Sequence, residues 1–306
     1  MSIHKYEVLL KVVELGSLTR AAEVLGFTQS GVSHIIHGLE REFGFPLLLR
    51  DRSGVRLTAN GERVLIPMRE TVNWNEQLKQ VVSSIHGLAS GVIRIGTFTS
   101  VSVHWLPGMI KEFQRHYPGI TFRLIEGDYE EIEEWIANGE IDCGFMTLPA
   151  RGTFDILPLR QDRMLVIVPP DHPLREADTF PLSRLSEEDF IMPREGSDYD
   201  VRRVLEHTGI TPNVRFVLGD DYAIIAMVEN GLGISILPEL VLQGRDHNAG
   251  MLELEERSFR SLGLAVQSLS KASPAMRRFL EYVKEWVQHV EKRNVEAWRS
   301  TSRNAE

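Results

Sequence analysis

Thr28-Gln29-Ser30-Gly31-Val32-Ser33-His34-Ile35-Ile36-His37-Gly38-Leu39-Glu40-Arg41-Glu42-Phe43-Gly44 divides into two faces when wound at about 100° per residue. Val32, Ile35, Ile36, Leu39 and Phe43 fall on one arc, which must be buried. Ser30, Ser33, His34, His37 and Arg41 fall on the opposite arc. That outer arc lacks the Glu/Lys mixture of a merely solvated face. It carries donors and acceptors of the kind that reach phosphates and base edges. Thr28 is placed to cap the first turn, and Gly44 to end the last one in a left-handed conformation.

The flanks decide between a plain surface helix and a reading helix. Ile3, Tyr6, Leu9, Leu10 and Val13 recur at helical spacing over residues 3–15. Gly16-Ser17 breaks that run, and a short helix from Leu18 to Leu25 carries the small pair Ala21-Ala22. Gly26-Phe27-Thr28 then turns into the quoted stretch, the spacing of a helix-turn-helix, whose second helix lies in the DNA major groove. Beyond Gly44, Leu47, Leu49, Val55 and Leu57 alternate around Ser53-Gly54, which predicts a small hairpin. Its charged residues Arg50, Arg52 and Arg56 suit a β-wing that grips the phosphate backbone without reading sequence.

Composition agrees. Residues 1–60 hold seven Lys/Arg against six Asp/Glu, whereas the whole 306-residue chain carries −9. An acidic body with a near-neutral head allows nucleic acid binding only through the head. The single cysteine, Cys143, excludes a disulfide framework and a Cys-based zinc site. It lies mid-strand between Asp142 and Gly144, the setting of a buried core thiol rather than a nucleophile. No catalytic motif or metal constellation stands out, so neither an enzyme nor a metal or cofactor is expected. The chain shows no long apolar run and no leader at Met1-Ser2-Ile3-His4-Lys5, so a cytoplasmic protein without a membrane partner is expected.

Leu18-Thr19-Arg20-Ala21-Ala22-Glu23, Thr28-Gln29-Ser30-Gly31-Val32-Ser33, Leu39-Glu40, Phe45-Pro46-Leu47 and Leu57-Thr58-Ala59-Asn60-Gly61 together resemble the N-terminal region of LysR-type transcriptional regulators. The match is ordered and ungapped over about sixty residues. It implies that Thr28, Gln29, Ser30, Ser33, His34 and His37 face the groove, and that Arg50, Arg52 and Arg56 face the backbone. The family pattern often has Ala where Gly31 stands, and Arg or Lys near His34 and His37.

From Thr58 to about Leu88 a helical run carries Leu65, Met68, Val72, Leu78, Val82 and Ile85 every three or four residues, with Pro67 as an expected kink. A narrow apolar stripe on a long helix needs a partner helix. The resemblance implies the linker that pairs two subunits, commonly within a tetramer, on a pseudo-palindromic double-stranded DNA operator.

After Ala89-Ser90-Gly91 strands and helices alternate, which predicts an α/β domain with a largely parallel sheet. Pro274 to Lys292 reads as a closing helix, followed from Asn294 by a polar, frayed tail. The fold class is therefore α plus α/β: a winged helix-turn-helix over 1–58, a linker helix over 59–89 and an effector domain over 90–296. The family resemblance implies that the last has two lobes like those of periplasmic binding proteins, lobe I about 91–161 and 267–296, lobe II about 162–266. Gly139-Glu140-Ile141-Asp142 and Asn230-Gly231-Leu232-Gly233-Ile234 look like the family's recurring blocks. A transport-type binding protein is the competing reading of the second half, and the helix-turn-helix weighs against it.

Ligands of such sheets bind beyond the carboxyl ends of strands. The hydroxyl-rich crossing Gly96-Thr97-Phe98-Thr99-Ser100 and Thr147 offer donors to a small-molecule effector, or simply cap loops. Met192 and Arg194 come from the second half, where Arg194 suits an anionic group or a pairing with Asp198 or Glu195. Asp220 and Asp221 read as helix N-caps rather than ligands. The acids near these loops weigh against a small carboxylate, the family's habit.

Overall fold

The computed structural model describes residues 2–51, 54–86, 89–244 and 247–303, with side chains as far as Val290. Arg52, one of the three wing arginines, lies outside the described residues. The chain divides into two compact units, Met1–Leu88 with Asn138–Glu140, and Ala89–Ala137 with Ile141–Glu306.

In the first unit α1 (Ile3–Leu15), α2 (Leu18–Leu25) and α3 (Gln29–Phe43) are followed by β1 (Leu48–Asp51), β2 (Gly54–Leu57) and α4 (Ala59–Ile85). The caps form as their residue types dictate. Ser17 Oγ accepts from Arg20 N, Thr28 Oγ1 from Gly31 N at 3.1 Å, and Gly44 closes α3 at φ 78°. Val8, Leu9 and Val12 of α1, Ala21 of α2 and Val32, Ile36 and Leu39 of α3 are fully buried together. Ala21 and Ala22 have no bulk to hold the neighbouring helices apart. Leu65 and Met68 of α4 are buried too, and Met68 joins this core.

β1 and β2 pair antiparallel with Leu48 opposite Leu57 and Asp51 opposite Gly54. The pair is anchored at its base. Glu40 Oε1 accepts from Leu47 N at 2.9 Å and Leu48 N at 3.3 Å, so α3 itself holds the first wing strand. Thr58 N donates to the Leu47 carbonyl at 2.9 Å, and Thr58 Oγ1 donates to the Pro46 carbonyl at 2.8 Å. Thr58 Oγ1 also accepts from Gly61 N, which starts α4. A Cβ on Gly61 would stand 2.3 Å from the Leu47 carbonyl oxygen.

In the second unit β3 (Ser90–Thr97), α5 (Thr99–His104), α6 (Leu106–His116), β4 (Gly119–Glu126), α7 (Tyr129–Ala137) and β5 (Cys143–Leu148) form strand–helix alternation. β6 (Asp155–Val168), β7 (Thr179–Phe180), β8 (Asp189–Pro193), α8 (Tyr199–Thr208), β9 (Asn213–Leu218), α9 (Asp221–Glu229) and β10 (Ser235–Pro238) follow. Then come α10 (Glu239–Leu242), β11 (Gly250–Val266) and α11 (Pro274–Arg303). One core gathers Ile93, Ile95, Phe113, Phe145, Phe279 and Val283 around β3, β4 and β5. Others gather Phe180, Phe190, Val201 and Ile236, and Ile191, Ile224 and Val228, around β8, β9 and β10. These are two lobes.

Two expectations are corrected. The main sheet runs β10-β6-β11-β5-β3-β4 and is mixed, not largely parallel. β3 pairs parallel with β4 and β5, but β11 pairs antiparallel with both β5 and β6, and β10 antiparallel with β6. β6 and β11 are far longer than the apolar runs at their ends because each crosses from one lobe to the other with charged residues in its middle. The polar tail is also corrected, because α11 continues to Arg303. No Gly or Pro interrupts the chain between Ala275 and Arg303, and helix formers fill it.

Gly61→Ala should lower the stability of the head by roughly 1–3 kcal/mol, because the added methyl collides with backbone that cannot swing away. Thermal or urea unfolding checks this, and unchanged stability would mean that Leu47 and Gly61 are not in contact.

Candidate functional sites in the head and the lobe cleft

On the head, Thr28, Gln29, Ser30, His34, His37, Arg50 and Arg56 are exposed, and Ser33 is half-buried. Behind them Val32, Ile36 and Leu39 are sealed in the core. The outward arc of α3 is thus a polar surface fixed from beneath. One contact was not foreseen: Arg50 Nη1 donates to Ser33 Oγ at 3.1 Å, and Ser33 Oγ lies 3.4 Å from His37 Nδ1. The His37 ring nitrogen also sits 2.8 Å from the Ser33 carbonyl oxygen. Ser33 therefore joins the wing to the outward face of α3, and Gln29, Ser30 and His34 are the side chains left outermost. Thr28 is spent on its cap.

The apolar stripe of α4 has two fates. Its first half is buried in the head core. Its second half turns outward, with Trp74 53%, Leu78 61% and Ile85 77% exposed beside Val81 and Val82.

In the second unit a cavity of about 290 Å³ lies between the lobes. Phe98, Thr99 and Tyr129 line it from one lobe, and Arg194, Asp200 and Asp221 from the other. Its floor is a polar network in which Asp162 of β6 stands directly opposite Arg260 of β11. Asp162 is fully buried and Arg260 is 3% exposed. Arg260 Nε donates to Asp162 Oδ2 at 2.9 Å, Nη2 to Ser100 Oγ at 2.8 Å and Nη1 to Tyr129 Oη at 3.1 Å. Its guanidinium also lies over the Phe98 ring, 5.5 Å from the centroid. Asp162 Oδ1 accepts from Leu240 N at 3.0 Å. A buried pair this fully satisfied costs much to break from one side only.

Asp200, at the start of α8, joins the lobes. Its carboxylate accepts from Tyr129 Oη at 2.8 Å and from Thr147 Oγ1 at 2.9 Å, both on the facing lobe. Burial, with the Asp200 charge beside it, holds the Tyr129 phenol well above its usual range, so it stays a neutral donor. Asp220 caps α9 through Tyr222 N and Ala223 N. Asp221 does not cap; it faces the cavity, correcting the reading of both as N-caps. Burial pushes the Asp221 carboxyl up to about 6, opposed by Arg260 and reinforced by Asp220, Asp200 and Glu126.

The structure brings only some of the expected residues to this cavity. Thr99 and Arg194 line it. Ser100 stands behind it, holding Arg260. Thr147 faces a second cavity of about 300 Å³ beyond Tyr129. Thr97 and Met192 do not reach the cavity. The Thr97 hydroxyl accepts from Ser102 Oγ at 3.2 Å, and Met192 is packed in a lobe core, because the pleat turns both inward. Sequence reasoning missed Tyr129, Asp162, Asp200 and Arg260. The signal existed for two of them. Asp162 shares the period-two face of Met164, Val166 and Val168, and Arg260 that of Leu262 and Leu264, all buried.

Cys143 is fully buried, and burial pushes its thiol well up, so it is no nucleophile. Among the described residues no group of His, Cys, Asp or Glu gathers to hold a metal ion, and no helix is long and apolar enough to cross a membrane.

The chain matches known proteins over nearly its whole length. The profile of the bacterial regulatory helix-turn-helix, lysR family, covers residues 3–62, and that of the LysR substrate binding domain covers 86–288. An HTH-type transcriptional regulator of Bacillus subtilis, YvbU, is 34% identical, over 93% of this chain and 98% of its own. Full-length OxyR from Pseudomonas aeruginosa superposes with a TM-score of 0.75 at 22% identity, covering 94% of this chain and 95% of its own. The regulatory domain of Synechocystis CcmR, solved in complex with 2-PG, gives a TM-score of 0.60 at 27% identity, over 64% of this chain and 97% of its own.

A carboxyl whose native value lies above its unfolded value contributes stability below pH 4 and loses it as pH rises through 6. Asp221→Asn should therefore stabilise the ligand-free chain by on the order of 2–3 kcal/mol at pH 8 and leave it unchanged near pH 3.5. Denaturant midpoints at the two pH values test this, and an equal margin at both would contradict a raised Asp221 carboxyl.

Proposed function

This chain belongs to the LysR family of transcriptional regulators, and on that premise we propose how its own residues divide the work. It is a regulator rather than an enzyme, binding DNA through the winged helix-turn-helix and responding to a small molecule held between the two lobes. The observation that carries our assignment is the outward polar arc of α3, braced by the core beneath and by Glu40 and Ser33 beside it. Gln29, Ser30 and His34 read base edges, with His37 at the margin of the face. Imidazole and amide groups can offer both donors and acceptors, so this surface suits mixed base edges rather than guanine alone. Arg50 and Arg56 of the wing, with Arg52, hold phosphates, and their contribution falls with salt.

The exposed half of the α4 stripe pairs with the same stripe of a second copy. Trp74, Leu78, Val81, Val82 and Ile85 follow the spacing of a two-helix seam. A dimer built this way supplies the two-fold symmetry that a pseudo-palindromic operator requires; further pairing of dimers to a tetramer is the family expectation. The effector lies in the cavity bounded by Thr99, Tyr129, Arg194, Asp200 and Asp221. It acts by binding one arrangement of the lobes better than the other, with Asp200 as the hydrogen-bonded link that such a shift strengthens or breaks. The chain works in the cytoplasm, where its DNA is.

Gln29→Ala with His34→Ala should cut the affinity ratio between operator and random duplex at least tenfold, while Arg56→Ala should weaken both and lower the salt slope by about 1. Titrations at several salt concentrations decide this; an unchanged ratio would remove α3 from the groove. Trp74→Glu with Leu78→Glu should give monomers by light scattering and abolish cooperative binding to two half-sites. A persisting dimer would place the interface elsewhere.

A further inference from the structure

The lobe cavity has an unequal set of charges. Arg260 looks like the cation of the site, but its charge is already matched by Asp162, which takes two of its donors. The cation still facing the cavity is Arg194, whose side chain makes no hydrogen bond or ion pair among the described residues. Against it stand Glu126, Asp128, Glu131, Asp200 and Asp221. Asp128 and Glu131 are tied to each other's backbone N–H at the start of α7. Asp200 takes hydrogen bonds from Tyr129 and Thr147, and its Oδ2 also lies 3.7 Å from Arg260 Nη1. Glu126 and Asp221 have no hydrogen-bond or ion-pair partner among the described residues, and Asp221 is turned into the cavity from a packed helix start.

Asp221 is half-buried, and a carboxylate turned inward without a partner favours a donor that would complete it. An anionic ligand entering here would have to settle among several carboxylates with one free arginine. A ligand carrying an ammonium group would find Asp221 and Glu126 without partners, with Asp200, shared with Arg260, beside them. Phe98, Met164, Val201 and Leu237 supply an apolar wall for a short carbon body.

Resting on the reading of this cavity as the effector site, we propose that the effector is a small amine-bearing metabolite, its protonated amine seated on Asp221 with Asp200 and Glu126 around it. Arg194 takes an acid group where the molecule has one, so amino acids and diamines are the fitting classes. Asp221 then keeps its charge on binding, because the ammonium provides a direct counterion; the raised carboxyl falls back as the ligand enters.

The test uses the full chain and a panel of single compounds: L-lysine, L-arginine, putrescine, citrate, succinate and inorganic phosphate. Thermal shift followed by calorimetry should show stabilisation by an amine-bearing compound and none by the three anions. Asp221→Asn, which removes an unpaired charge and should fold at least as well, should weaken that binding at least tenfold. Glu126→Gln, at an exposed strand end, should weaken it less. Stabilisation by an anion, strengthened in Asp221→Asn, would overturn the amine class while leaving the cavity as the effector site. No response to any compound, or amine binding indifferent to Asp221→Asn, would overturn the proposal and count against the cavity as well.

Discussion

One buried guanidinium organises the second unit. Arg260 is set into the middle of a strand, where a charge survives only with its partners in place. Asp162 meets it from the adjacent antiparallel strand, and Ser100 and Tyr129 close its remaining directions. Those three partners come from β6, α5 and α7. The crossing strands and the helices flanking the cavity are thus indexed on one side chain. Asp200 extends the network across the cleft, so the position of one lobe is felt at the hydroxyls of the other. The cavity is a void left above this network, and its acidity follows from Arg260 being already neutralised.

The head obeys a different constraint. It is small, and its core is apolar, so its polar contacts serve to place the wing. Glu40 takes two wing N–H groups, Thr58 ties Pro46 and Leu47 to the start of α4, and Gly61 lets that start approach. The same residues that close the core set the distance between the arginine hairpin and α3. Arg50 then reaches Ser33, so the two parts of the surface meet as one.

Much of this was legible in the chain. The two faces of α3 followed from periodicity, and its caps from Thr28 and Gly44. Helices whose residues repeat cleanly were found close to their observed limits, as for α1, α2 and α3. The long strands β6 and β11 were not, because charges at Arg160, Asp162 and Arg163 interrupt the apolar alternation and read as loop. A charge inside a strand looks the same in sequence whether it is solvated or paired. Thr97 and Met192 were placed at the cavity by their position near strand ends, and the pleat turned them inward. Asp220 and Asp221 looked equivalent, yet one caps and its neighbour faces the cleft.

The sequence by itself determined the local elements, the buried and exposed faces of each helix, and the family. Hydrophobic period and capping chemistry are local, and they need no knowledge of what lies across the fold. Tertiary structure alone decided which polar groups become partners. Asp162 meets Arg260 across 98 residues, and Asp200 meets Tyr129 across 71. Pairings at such range depend on strand register and lobe placement, which no local pattern encodes. The character of the cavity depends on them, since the charge a ligand meets is whatever those pairings leave over.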